Sequence, residues 1–227
     1  MANDIGILNE GPVHQALKNL YSDAGATQEV AIGNYVADVV SKDRVLYEIQ
    51  TSGFSGLRRK LETLLEEHHV VLVHSIAATR YIIKVSEDPD LPAKRRRSPK
   101  KGGVANLLDS LVSIPDLLNH PRFELEIVLT SEEEFRVPSN NRGWRRKGWR
   151  VARRELVEVI EAHRFAEVAD LWSLAPGELP EVFTTSDLAQ VMAQPRGMAQ
   201  KLAYCLREAG AIEMIGKRGN ALEYRRC

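Results

Sequence analysis

Apolar residues in the N-terminal third of the chain follow first a helical and then an extended spacing. Val13, Leu17 and Leu20 recur every three or four positions, which predicts a helix over residues 9–21 with Asn9 as its N-cap. Turn-forming residues separate the strand-like runs that follow, and we predict strands over three segments: 27–32, 35–40 and 44–51.

A second helix and two further strands complete this region. Leu57, Leu61 and Leu64 share one face of a predicted helix that begins at the N-cap Ser55 and ends near residue 68. A nearly continuous apolar run predicts a strand buried on both faces, and a second run predicts another strand: 69–76 and 79–85. The order helix, three strands, helix, strand indicates an α/β sandwich with a mixed sheet.

The middle of the chain is less regular. Residues 87–103 contain three prolines, two glycines and a basic run, which predict a loop. We predict a helix and then a strand in the next apolar segments: 104–118 and 123–128. A second basic run, 142–154, is expected to lead into a helix through Val157 and Ile160, whose spacing is typical of a helix.

The last quarter of the chain changes to a mainly helical pattern. Two apolar stripes predict two short helices, the second over residues 195–209, and two strand-like runs predict a terminal hairpin: 212–215 and 221–224. This order resembles winged helix-turn-helix domains, which bind DNA or, in an alternative use, another protein. We therefore expect a larger and a smaller domain: 1–160 and 161–227.

The positions of the cysteines and the lack of long apolar runs indicate the cellular compartment. Cys205 falls on an apolar helical stripe and Cys227 is the last residue, which argues against a disulfide framework or a cysteine zinc site. Neither a membrane-length apolar run nor a secretory signal is present in the sequence. These features favour a cytoplasmic protein without a membrane partner.

Charge is balanced overall but clustered locally. The 31 basic and 31 acidic residues give a net charge of zero, which by itself argues against a nucleic-acid binder. However, basic side chains crowd two short stretches, and local patches matter more to a polyanion than the total. In the second stretch Trp144 and Trp149 alternate with arginine, and these rings either stack on bases or pack against the core.

Two carboxylates on neighbouring predicted strands are the main chemical feature of the sequence. Asp38 lies in the second strand, and Glu48-Ile49-Gln50 lies in the third, after a short turn. An antiparallel pairing of these strands would bring Asp38 close to Glu48 at one edge of the sheet. Nearby carboxylates repel each other, so a hard divalent cation such as Mg²⁺ is their natural partner.

The order and spacing of these residues resemble the PD-(D/E)XK nuclease superfamily, over roughly residues 7–85. This resemblance implies a restriction endonuclease-like αβββαβ core that hydrolyses DNA with Mg²⁺ or Mn²⁺. It implies Asp38, Glu48 and the Ile49 carbonyl as metal ligands, and Glu10 on the first helix as an accessory acid. It also places Gln50 in the catalytic set, where most members have lysine; a glutamine supplies hydrogen bonds but no positive charge. Lys60 in the following helix is a candidate source of that charge.

The sequence therefore predicts a metal-dependent endodeoxyribonuclease acting on duplex or branched DNA in repair, restriction or mobile-element processing. The alternative is a non-catalytic DNA-binding or regulatory protein on the same fold. A third hypothesis is an RNA-processing enzyme. A homodimer would supply two active centres for the two strands of a duplex. The candidate contacts to DNA are Arg95, Arg96, Arg97, Arg145, Arg146, Lys147, Arg150, Arg196, Gln200, Lys201, Lys217 and Arg218.

Overall fold

The structure is a computed structural model that describes residues 11–23, 25–85, 93–139 and 148–227. Within these ranges the helices are α1 (Pro12–Tyr21), α2 (Arg58–Leu65), α3 (Leu108–Leu111), α4 (Thr185–Met192) and α5 (Arg196–Glu208). The strands are β1 (Thr27–Ile32), β2 (Tyr35–Val40), β3 (Leu46–Gln50), β4 (Val70–Lys84), β5 (Lys94–Arg97), β6 (Phe123–Pro138), β7 (Trp149–Phe165), β8 (Val182–Thr184), β9 (Ile212–Arg218) and β10 (Ala221–Arg226).

A mixed seven-stranded sheet forms the centre of the protein, in the order β1-β2-β3-β4-β6-β7, with β5 paired to β4. The first three strands are antiparallel to one another, and α2 then connects β3 to the parallel strand β4. Such a parallel connection needs a crossover of this length, which a hairpin cannot supply. The predicted α/β class and the predicted order helix, three strands, helix, strand are confirmed.

The two N-terminal helices cover opposite faces of this sheet. Side chains alternate along β4, so that Val71 and Val73 pack with Leu17 of α1, whereas Leu72 packs in the cluster that contains Leu61 of α2. Leu17, Leu61 and these strand residues are almost completely buried. The edge at which β2 and β3 separate therefore lies between helices above and below the sheet.

The C-terminal segment packs onto the same core. Thr184 caps α4, because its hydroxyl accepts hydrogen bonds from the backbone N–H groups of Ser186 and Asp187. β8, which precedes α4, and the β9–β10 hairpin, which follows α5, form a small antiparallel sheet in the order β8-β10-β9. Leu202 of α5 belongs to the hydrophobic cluster that also contains Leu111 of α3. The expected boundary between residues 160 and 161 falls inside β7.

One predicted helix is a strand. Residues 149–165 form β7, which pairs with β6 along its whole length, so the prediction of a helix through Val157 and Ile160 is wrong. The register skips both residues, since Leu156 pairs with Glu132, Glu158 with Ser131, Val159 with Thr130 and Glu161 with Leu129. Each skipped residue is an extra residue at a β-bulge. Two bulges three residues apart imitate the spacing of a helical face.

Other segments also differ from their predictions. Part of the predicted loop, Lys94–Arg97, is strand β5. Its backbone pairs with β4, and this pairing does not depend on the character of the side chains. The two strands predicted at 69–76 and 79–85 are one strand, β4. The predicted helix over 104–118 consists of α3 between two short 3₁₀ turns, since Pro115 opens the second turn. The second helix begins after Leu57 rather than at Ser55.

Four predicted site residues lie outside the described ranges: Glu10, Arg145, Arg146 and Lys147. Asn9 and Trp144 are also outside them. No helix in the described part of the chain has both the length and the apolar character needed to cross a bilayer.

Candidate active site

Asp38 and Glu48 meet where the ladder between β2 and β3 ends. The paired residues of this ladder are Val40 with Leu46 and Val39 with Tyr47. Beyond them, the Asp38 carboxylate takes over as the acceptor, since the backbone N–H of Ile49 donates to Asp38 Oδ2 at 2.7 Å. The side chain thus satisfies a backbone donor that would otherwise lack a partner at the opening between the strands.

Two basic side chains of α1 approach Asp38 from one side. His14 Nε2 lies 3.4 Å from Asp38 Oδ2, and Lys18 Nζ lies 4.0 Å from Asp38 Oδ1. Lys18 is fully buried and also pairs with Glu29 at 2.8 Å. Burial opposes ionisation of Asp38, but hydrogen bonds from His14 and Ile49 outweigh it and lower the pKa of this carboxyl. Asp38 is therefore a stable anion at neutral pH.

Lys60 of α2 approaches Glu48 in the same way. Its Nζ donates to Glu48 Oε2 at 2.5 Å and to the carbonyl oxygen of Val36 at 2.7 Å. Glu48 is 5% exposed, and its Oε1 has no hydrogen-bond partner among the described residues. The pKa of Glu48 is raised to about 7, mainly by burial and also by the charge of Asp38, because together these outweigh the opposing effect of Lys60. The site holds a carboxylate that is costly to ionise without a second cation.

The backbone adds a third oxygen at the same opening. In a strand, the N–H and C=O of one residue point toward the same neighbouring strand, and the Ile49 N–H points at Asp38. The Ile49 carbonyl is therefore directed toward the gap between β2 and β3. Mg²⁺ commonly takes one or two carboxylates and completes its shell with water and substrate oxygens. The two carboxylates and this carbonyl fit such an ion, and Glu48 Oε1, without a partner in the described part of the chain, is available to bind it.

A larger protein ligand set is absent from the described residues. No group of three or more histidine, cysteine, aspartate or glutamate side chains within them is arranged to hold a metal ion. An ion at this opening would thus bind mainly through Asp38 and Glu48, as hydrated Mg²⁺ does in phosphate-processing sites.

Gln50 is tied into the turn that follows β3. Its side-chain amide donates to the carbonyl oxygen of Gly53 at 3.0 Å. Its own backbone oxygen lies 2.8 Å from Nδ1 of His74, whose ring meets the Phe54 ring edge-on with centroids 4.8 Å apart. Gln50 therefore positions the turn, while Lys60 is the lysine that contacts Glu48.

Two adjoining cavities open beside this site. One has a volume of about 350 Å³ and is bordered by His14, and the other has a volume of about 250 Å³ and is bordered by His74. Both are lined by Thr51, Ser75 and Arg80, so they form one groove across β4. The groove begins at Thr51, the residue after Gln50, and His14 links it to the site because it also contacts Asp38.

The basic residues of β5 lie on the surface of the large sheet. Arg95 pairs with Glu133 at 3.0 Å and stacks on Tyr81, and Arg97 donates to the Thr79 hydroxyl at 3.1 Å. Arg96 is exposed on the same strand, and Arg150 is exposed at the start of β7. Arg95, Arg96 and Arg97 therefore share one strand, whereas Arg150 is on β7, which β4 and β6 separate from β5.

The candidate DNA contacts of the C-terminal segment are dispersed. Arg196 and Gln200 are exposed on α5, whereas Lys201 forms an ion pair with Asp109 of α3. At the end of β9, Lys217 is exposed and Arg218 pairs with Glu223 at 2.7 Å. Lys201 thus holds α5 against the core, and the remaining residues are at the surface.

Three residues that contact or border the site were not assigned to it from the sequence: His14, Lys18 and His74. His14 and Lys18 are four positions apart on α1, so they share one helical face, and this spacing was the available signal. His74 lies within an apolar run and carries no comparable signal.

Comparisons with known proteins give a family without an assigned activity. The sequence model of a family described as "Domain of unknown function (DUF8091)" matches residues 11–166. A protein of Treponema pallidum (strain Nichols), described as "Uncharacterized protein", is 32% identical over 225 residues, which cover 98% of this chain and 87% of that protein. No solved structure matches the chain.

Proposed function

We propose that this chain, which belongs to the family described as domain of unknown function (DUF8091), is a divalent-metal-dependent endodeoxyribonuclease with a PD-(D/E)XK-type core. The observation that carries the proposal is the site between β2 and β3. There Asp38 and the buried Glu48 converge, Glu48 Oε1 has no partner among the described residues, and Lys60 contacts Glu48. The αβββαβ order supports a restriction endonuclease-like core.

The residues of the site divide the work of phosphodiester hydrolysis among them. Asp38 and Glu48, with the Ile49 carbonyl, would hold Mg²⁺ or Mn²⁺, which polarises a phosphoryl oxygen and lowers the pKa of bound water. Lys60 supplies the positive charge that Gln50 lacks, at the carboxylate next to the reacting phosphate. The groove lined by Thr51, Ser75 and Arg80 would position the strand on either side of the scissile bond.

We further propose that residues 182–226 form a winged helix-turn-helix module. The order β8, α4, α5 and the β9–β10 hairpin supports it, with α5 as the candidate recognition helix. Exposed polar residues on α5 and the hairpin would contact phosphates, and the basic strand β5 would extend this surface. DNA, duplex or branched, is the proposed partner, in repair, restriction or mobile-element processing.

The test is cleavage of defined DNA by the purified chain. Supercoiled plasmid, linear duplex, single-stranded and branched DNA would be incubated with Mg²⁺, with Mn²⁺ or with EDTA. Asp38→Asn keeps a hydrogen-bond acceptor for the Ile49 N–H but removes a charge, so it should fold and lose metal-dependent cleavage. Asp43→Ala, in the exposed turn between β2 and β3, is the matched control and should cleave like wild type. Equal cleavage by Asp38→Asn and wild type would sink the proposal.

A second function has its own supporting observation. Lys60 already neutralises Glu48 at 2.5 Å, and Gln50 is engaged with Gly53, so a site of this kind can persist without metal. A non-catalytic DNA-binding or regulatory protein would bind DNA with a strong dependence on salt. Its binding would be the same with EDTA and in Glu48→Ala, and metal-dependent nicking would rule this alternative out.

A further inference from the structure

His74 is placed beside the carboxylates by the register of two parallel strands. In the β3–β4 ladder, Glu48 is opposite Leu72 and Gln50 is opposite His74. Residues two apart on a strand share a face, so His74 and Glu48 lie on the same face in adjacent rows. His74 is 5% exposed, and it lines the smaller of the two cavities.

The hydrogen bond of His74 determines which nitrogen carries the proton. Nδ1 lies 2.8 Å from the backbone oxygen of Gln50, and a carbonyl oxygen only accepts, so Nδ1 must donate. The neutral ring then has its lone pair on Nε2. Burial lowers the pKa of His74, so this neutral form prevails at physiological pH. Edge-on contact with Phe54 further limits rotation of the ring.

The second nitrogen has no structural task among the described residues. Nε2 forms no hydrogen bond among these residues and retains some exposed surface, and His74 lines the smaller cavity. Thr51 and Ser75 line the same cavity and are suitable neighbours for an ordered water. A buried histidine with one nitrogen anchored and the other facing a polar groove is arranged to accept a proton.

The other groups near the carboxylates are unsuited to that role. Lys60 is cationic and engaged with Glu48, and the Gln50 amide is not a base. Asp38 is held as an anion by hydrogen bonds, with His14 in contact with it. His74 is left as the base that combines a free lone pair with access to the groove.

We propose that His74 Nε2 is the general base of the hydrolysis, an inference that rests on the proposed nuclease function. As the oxygen of the attacking water bonds to phosphorus, its O–H bond breaks and the proton passes to Nε2. The bond between phosphorus and the leaving sugar oxygen breaks, and that oxygen takes a proton from a solvent water. The imidazolium then returns its proton to the hydroxide so formed, which leaves a phosphomonoester and an alcohol.

The test separates the two nitrogens of the ring. Asparagine can keep a hydrogen-bond donor near the position of Nδ1 but has no atom at the position of Nε2. His74→Asn should therefore fold normally, and its KM for DNA should be unchanged. Its kcat should fall by about 10²–10⁴-fold, the usual contribution of a general base. His74→Ala should lose a similar factor, and added imidazole should restore part of its rate. His69→Asn is the matched control, because His69 does not line the groove. Its Nε2 lies 2.7 Å from Glu124 Oε1 instead.

Each outcome decides between the roles. Full activity in His74→Asn overturns the proposal, since the Nδ1 hydrogen bond would then be the only contribution of the ring. A loss accompanied by a raised KM, lower stability and no imidazole rescue also overturns it and assigns a structural role. If wild type itself does not cleave DNA, both this inference and the proposed function fail. If Asp38→Asn is inactive and His74→Asn is active, only the role of His74 fails.

Discussion

Replacing the buried Glu48 by glutamine should stabilise the protein at alkaline pH while removing the metal-dependent activity that we propose. Burial raises the pKa of Glu48 from its ordinary 4.5 to about 7. Between these two pH values, the native protein holds a proton that the unfolded chain has already released. The free energy of unfolding must therefore fall as pH rises through this window, because the native state binds more protons.

The size of the effect follows from the two pKa values. One pH unit corresponds to about 1.4 kcal/mol, so the wild type should lose about 3 kcal/mol of stability between pH 4.5 and 7 through this residue. Glu48→Gln does not titrate and should lack this component. The amide oxygen of glutamine can still accept from Lys60, which keeps the remaining contacts similar in the two proteins. The difference between the proteins across pH isolates the contribution of the carboxylate.

Urea unfolding in EDTA at several pH values between 4.5 and 8 is the assay. The stability of Glu48→Gln relative to wild type should increase with pH by about 3 kcal/mol and level off above pH 7. Adding Mg²⁺ should then stabilise wild type but not the variant, since ligands that bind only the native state raise its stability. The reasoning is refuted if the two proteins show the same pH dependence in EDTA.

Three further predictions concern packing and DNA contact. Gly102→Ala should destabilise the protein by about 1–3 kcal/mol, because the added Cβ would lie 2.7 Å from the backbone oxygen of Ala77. Gly103→Ala is the control: its Cβ would have no atom within 4 Å, so the variant should be near neutral in the same urea assay. Leu202→Ala should lower the free energy of unfolding by about 2–5 kcal/mol, because this fully buried side chain belongs to the same hydrophobic cluster as residues of the large sheet. The variant should still unfold in a single transition, and separate transitions for the two segments would contradict this. Arg96→Ala should weaken DNA binding and reduce the slope of log K against log salt by about 1; an unchanged slope would exclude a phosphate contact.

The N-terminal half of the fold was largely predictable because its signals are local. α1, the three strands β1–β3, α2 and the first half of β4 each carry their own periodicity, and short turns or one helix connect them. The same holds for α4, α5 and the terminal hairpin. In each case the residues that form an element are also the residues that define its pattern.

The segments that were predicted incorrectly depend on partners far away in the chain. β7 is a strand because its backbone pairs with β6. The bulges at Val157 and Ile160 gave its sequence a spacing typical of a helix. β5 is a strand because β4 offers an edge to its backbone, although its side chains are four consecutive cations. Sequence periodicity reports how side chains are buried and carries no information about which backbone edge is available.

The candidate site divides in the same way. The spacing of Asp38 and Glu48 across one turn was sufficient to place them on neighbouring strands, and a helix after β3 was sufficient to suggest Lys60. Their environment was decided only by tertiary structure: the cations that α1 and α2 bring to the two carboxylates, the burial that raises the pKa of Glu48, and the parallel register that sets His74 beside Gln50. A strand pattern specifies which residues share a face, whereas the pairing register and the packing of helices determine which faces meet.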